Sequence, residues 1–132
     1  DESETHLRLC KGIYVEPESL AFKGFTEVQD AFLRNLEQML RGGIRKVGIA
    51  THDQRLIEGS VDLLRRLEIP KEQYEFQMLL AVTENLRSEL VADGHPLRVY
   101  VPFGEEWYAY SSRRLRENPK IAGHVIRNML PF

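Results

Sequence analysis

One unit recurs along this chain, and it constrains the fold more than any other feature. A short apolar run leads into a polar patch, then a helical pattern, then a glycine or proline break. The first run, His6-Leu7-Arg8-Leu9-Cys10, ends in Lys11-Gly12-Ile13-Tyr14. A loop with Pro17 then leads to a helix expected over Thr26 to Arg41, whose Val28, Phe32, Leu36, Met39 and Leu40 keep the spacing of a one-sided buried face. Thr26 suits the N-cap there, and Gly42-Gly43 the stop. The second run, Lys46 to Ala50, ends in Thr51-His52-Asp53 and precedes a helix to about Leu67, closed by Pro70. The third, Tyr74 to Leu79, precedes a helix from Thr83 to Ala92. The fourth, Leu97 to Val101, stops at Pro102-Phe103-Gly104. Helices over Glu105 to Glu117 and Ile121 to Met129 complete the pattern. Strands alternating with helices of this length need crossover connections, so the expected class is α/β with a parallel sheet.

Units of this kind have two homes: a small open doubly wound sheet, or half of a (β/α)8 TIM-type barrel of roughly 250 residues. Each strand end here carries polar or aromatic groups where its loop begins, which favours the barrel half. Lys11-Gly12-Ile13-Tyr14 has one glycine and fails the dinucleotide fingerprint of an open nucleotide-binding sheet. The expectation is a single unit over residues 1–132 built of parallel strands with outer helices, and no second domain.

Composition narrows the partners. Eighteen Lys and Arg against twenty Asp and Glu leave a net charge of −2, which argues against a nucleic-acid surface. No run approaches the roughly 18 apolar residues of a membrane span. Cys10 is the single cysteine, so no internal disulfide is possible, and the histidines show no CxxC or HExxH spacing that would predict a metal.

Several residues admit a chemical and a structural reading, and spacing alone leaves both open. Tyr110, Arg113, Arg114 and Glu117 share one helix face: either two guanidiniums for a carboxylate or phosphate beside an aromatic wall, or a solvated face with an Arg113–Glu117 pair. Lys11 is either a Schiff-base nucleophile or an ordinary loop lysine. Asp53 reads as a helix cap, and His52 as a cofactor contact or part of that helix start. Glu75 and Gln77 lie on one face of the third strand, and Gln77 is either a donor to a ring carbonyl or nitrogen or a polar group satisfied internally. Tyr14, Tyr100, Trp107, Tyr108 and Tyr110 gather near strand ends or on the helix expected after the fourth strand.

Four stretches together carry a family resemblance: RLCKGIYVEP (Arg8 to Pro17), IATHD (Ile49 to Asp53), YEFQML (Tyr74 to Leu79) and RVYVPFGEEWYAYSSRRLRENP (Arg98 to Pro119). In this order the chain resembles the proline dehydrogenases, flavin-dependent (β/α)8-barrel enzymes of proline catabolism, and most closely their short monofunctional bacterial type. The resemblance implies the C-terminal half of the barrel, FAD as cofactor, and oxidation of L-proline to Δ1-pyrroline-5-carboxylate with electrons passed to a quinone. It implies that Arg113 and Arg114 hold the substrate carboxylate while Tyr14, Leu79, Tyr100 and Tyr110 wall its ring. It implies cofactor contacts from Arg8, Gly12, Ile13, Lys23, Thr51, His52, Gln77 and Glu117, with Lys23 toward the pyrophosphate. A cytoplasmic location peripheral to the inner membrane follows from the quinone.

One departure is large. Further active-site residues of such enzymes, a lysine and an aspartate among them, lie on earlier strands, and this chain begins at what resembles the fifth. No catalytic acid, base or nucleophile is therefore assigned in this half, and the segment alone is expected to be inactive without its N-terminal barrel half, on the same or another chain. The rival readings are a Schiff-base lyase using Lys11 and a non-catalytic half-barrel binding module.

Overall fold

The computed structural model describes residues 5–12, 16–80, 82–101 and 103–105, together with 109 and 112. The helix expected over 105–117 is described only at isolated positions, and that over 121–129 lies outside the described residues. The remainder follows the expected alternation. Strand β1 (His6–Cys10) leads to helix α1 (Phe25–Arg41), β2 (Lys46–Ala50) to α2 (Gln54–Arg66), and β3 (Tyr74–Leu79) to α3 (Glu84–Ala92), with β4 (Leu97–Tyr100) after it.

All three strand pairings are parallel, and the sheet order is β1-β2-β3-β4. The order never reverses, so the described sheet has no switch point of the doubly wound kind. Crossovers of one hand between sequential neighbours place the helices on one face. The register makes that face continuous: Leu9, Ile49, Phe76 and Leu97 form one row, and Val47 pairs with Tyr74. Ile49, Val47 and Phe76 are wholly buried. Against them lie Phe32, Leu36 and Leu40 of α1, Leu56, Ile57, Leu63 and Leu64 of α2, and Leu90 of α3. The helices approach closely at Gly59, where a Cβ would stand 2.8 Å from a methyl carbon of Leu33.

Helix starts depart in small ways from expectation. Helix α1 begins one residue early with Gly24, not Thr26, at the N-cap. The Glu27 carboxylate takes the Gly24 N–H at 3.1 Å, so the acidic residue three positions on decides the boundary. Asp53 caps α2 as expected, accepting from the Leu56 N–H. Thr83 takes the N-cap of α3 in a left-handed backbone conformation (φ 47°). A 3₁₀ turn over Lys71–Gln73, absent from the sequence reading, leads Pro70 into β3. At the base of β3, buried Tyr74 Oη bonds His95 Nδ1 at 2.8 Å, and the His95 ring packs edge-on against Phe76.

Candidate functional site

Side chains alternate across a strand, so the residues that miss the helices share the opposite face. Three rows cross it: Arg8, Gly48 and Glu75; then Cys10, Ala50, Gln77 and Arg98; then Leu79 beside Tyr100 at the carboxyl edge. Apart from Gly48 and Glu75, these residues are exposed or half-buried. Parallel α/β sheets bind ligands at this edge. The register thus gathers Arg8, Gln77, Leu79 and Tyr100, each expected at a site, onto one surface.

Glu75 is the electrostatic centre of that surface. Its carboxylate takes two bonds from the Arg98 guanidinium, at 2.5 and 3.1 Å, and pairs with Lys46 Nζ at 2.9 Å. Gln77 Nε2 donates to the same carboxylate at 2.9 Å. The Arg98 bonds lower its pKa against the opposing effect of burial, with Lys46 and Gln77 adding to them, to about 2. Glu75 is therefore a fixed anion. The Arg8 side chain, by contrast, makes no hydrogen bond or ion pair among the described residues and stands exposed on the open face.

The loops beyond β1 and β2 are tied by a second cluster. Asp53 Oδ2 accepts Lys11 Nζ at 3.0 Å and Gln29 Nε2 at 2.8 Å, and Arg55 Nη1 donates to Gln29 Oε1 at 2.7 Å. Burial pushes the Asp53 carboxyl up, but the bonds from Lys11, Gln29 and the Leu56 N–H outweigh it and leave its pKa below the usual value. Lys11 also lies over the Phe25 ring, 4.2 Å from its centroid. An ammonium committed to a carboxylate and an aromatic face is structural, and it does not favour the Schiff-base role. Thr51 is buried, and its Oγ1 accepts the Asp53 N–H at 3.1 Å. His52 Nε2 accepts the Leu79 N–H at 2.8 Å, so the ring clamps the end of β2 to the end of β3.

The structure thus divides the expected cofactor contacts. Arg8 and Gln77 lie on the open face, while Thr51 and His52 hold the strand ends in place. Gly12 adopts φ +82°, a conformation suited to glycine, with nothing among the described residues within 4 Å of where a Cβ would be. Lys23 is exposed in the loop before α1 and donates to the Glu16 carbonyl. Ile13, Tyr14, Tyr110, Arg113, Arg114 and Glu117 lie outside the described residues. Sequence reasoning missed Lys46, Arg98 and Gln29 as site-forming residues. Arg98 was recoverable only from the register that sets it beside Gln77.

A flavin needs hydrogen-bonding groups toward its ring and cations toward its pyrophosphate. The exposed Arg8, the Gln77 amide and the backbone at Gly12 are of the kinds that would suit its ring side. Lys23 is an exposed cation on the first loop, whose other described lysine, Lys11, is paired with Asp53.

The fold and edge define an α/β protein of sequential parallel βα units with a polar face at the strand ends. The family model described as proline dehydrogenase matches residues 2–127, and the chain belongs to the proline dehydrogenase family. It is 37% identical over 130 residues to a proline dehydrogenase of Deinococcus radiodurans, covering 98% of this chain and 42% of that relative. With proline dehydrogenase 2 of Bacillus subtilis strain 168 it shares 35% over 129 residues, again 98% of this chain and 42% of the relative. With proline dehydrogenase 1 of the same strain the figures are 38% over 127 residues, 95% and 41%. The chain therefore spans well under half the length of these relatives.

Proposed function

We propose that this chain forms the C-terminal half of a (β/α)8 barrel that oxidises L-proline to Δ1-pyrroline-5-carboxylate with FAD. The observation that carries the reading is the family match over nearly the whole chain, together with a register that brings Arg8, Gln77, Leu79 and Tyr100 to one open sheet face. The sequential parallel order supports the barrel, since four parallel strands in chain order are what half of such a barrel contains.

FAD, when bound, supplies the two-electron acceptor for the ring oxidation. The protein's own part is to bind, orient and exclude water. Arg113 and Arg114 form paired N–H···O bonds with the proline carboxylate and fix the ring's position. Leu79 and Tyr100, neighbours in the register, wall the ring with Tyr14 and Tyr110. Arg8 would lie beside the flavin, where its positive charge would favour the reduced, more negative ring. Gly12 and Ile13 would let the backbone pass along the cofactor, Lys23 would serve its pyrophosphate, and Glu117 would hold its ribityl or adenosine portion or orient the arginines. Thr51 and His52 fix the strand ends against which it lies. A quinone would be the acceptor that reoxidises the reduced flavin, in keeping with a cytoplasmic enzyme peripheral to the inner membrane.

The remaining barrel strands come from the rest of the same polypeptide or from another chain. Expressed alone, residues 1–132 leave the outer edges of β1 and β4 unpaired among the described residues and Leu7, Phe22, Phe25 and Phe103 exposed, so the segment should be aggregation-prone and turn over proline poorly or not at all. The test is dye reduction by proline, in the complete polypeptide and in the segment alone. Activity only in the former supports the reading; a robustly active monomeric segment overturns the half-barrel assignment.

A further inference from the structure

Gly48 is a glycine inside a strand, a position that weakens a sheet unless something approaches closely. Here the approaching group is the Gln77 side chain. A Cβ at residue 48 would stand 2.5 Å from Gln77 Nε2 and 2.9 Å from its Cδ. The carboxamide therefore lies over β2, in the space that a side chain there would fill.

Its orientation is also determined. A carboxylate only accepts, so the group facing Glu75 must be the Gln77 amide nitrogen, as the 2.9 Å bond shows. Glu75 cannot swing away, because Arg98 grips both its oxygens and Lys46 holds one. Its side chain is only 10% exposed although this face is open. The Gln77 carbonyl oxygen is consequently turned from Glu75 and accepts no hydrogen bond among the described residues.

We propose that Gly48 and Glu75, the latter anchored by Arg98 and Lys46, are positioning residues that orient the Gln77 carboxamide so that its carbonyl accepts an N–H of the flavin ring. This rests on the flavin reading above and adds to it the polarity of the contact. A glutamine free to rotate would offer either end to the ring, which carries both carbonyls and an N–H. One held by Glu75 offers an acceptor first.

The experiment uses the complete flavin-loaded polypeptide with Glu75→Gln, Gly48→Ala and Gln77→Ala, singly and with each positioning variant combined with Gln77→Ala. The readouts are the visible flavin spectrum, the reduction potential by spectroelectrochemistry, and flavin dissociation. Glu75→Gln removes the acceptor-only partner, and Gly48→Ala displaces the amide without touching Glu75. Each single variant should shift the spectrum and potential and weaken flavin retention roughly tenfold, the effect of one misdirected hydrogen bond. In the Gln77→Ala background, neither should add a further shift. Unchanged spectra and potentials in the single variants overturn the proposal, as do effects that add fully to Gln77→Ala. If Glu75→Gln does not fold, Gly48→Ala decides alone. A native polypeptide that retains no flavin overturns both this proposal and the flavin reading, whereas flavin retained with insensitive variants overturns the positioning role only.

Discussion

Replacing Asp53 with alanine removes three supports at once. The Leu56 N–H loses its cap, Gln29, only 3% exposed, loses its acceptor, and the half-buried Lys11 loses its counterion. Cap loss costs about 1 kcal/mol and an orphaned buried donor about 1–3 kcal/mol. The Lys11 pair, partly open to water, contributes under about 1 kcal/mol. The expected loss for Asp53→Ala is thus about 2–5 kcal/mol. Asparagine caps as well as aspartate, so Asp53→Asn should cost about half as much. Urea unfolding of the complete polypeptide, with slopes held equal between variants, reads both values. Asp53 is held below its ordinary pKa of 3.8, so its contribution is complete above that value and lost as pH falls through the folded-state pKa. The gap between wild type and Asp53→Asn should therefore narrow in acid. Equal losses for alanine and asparagine, both below about 0.5 kcal/mol, would refute the reasoning, since neither cap nor buried bond would then count.

Other consequences follow from the same structure. Glu75 is lowered from 4.5 to about 2, so its stabilisation is intact above pH 4.5 and lost as pH falls toward 2; Glu75→Gln should flatten acid unfolding in that window. Phe76→Ala, at a wholly buried position in the central row, should cost about 3–5 kcal/mol in urea melts. Arg113→Ala or Arg114→Ala in the complete enzyme should raise KM for proline sharply while flavin content stays near wild type; an unchanged KM removes the clamp.

Much of the fold was legible because periodicity and punctuation agreed. The apolar stripe of α1, the Asp53 cap and the run from Tyr74 to Leu79 each fixed an element without reference to any other. Register was harder to read. Nothing local in Lys46 or Arg98 says that both meet Glu75, because parallel partners lie a helix apart in the chain. His52 shows the same limit: its place before α2 was readable, but its bond to the Leu79 N–H depends on how two strand ends align. Nothing local in the run Lys46 to Ala50 explains Gly48, and only the neighbouring strand shows why a side chain is missing there.

The most direct test of a proline-oxidising flavoprotein is the absorbance of the purified complete polypeptide, recorded anaerobically before and after adding L-proline. A bound flavin band that bleaches with proline is the expected result. A protein without that band, or one whose flavin stays oxidised with proline present, would contradict it.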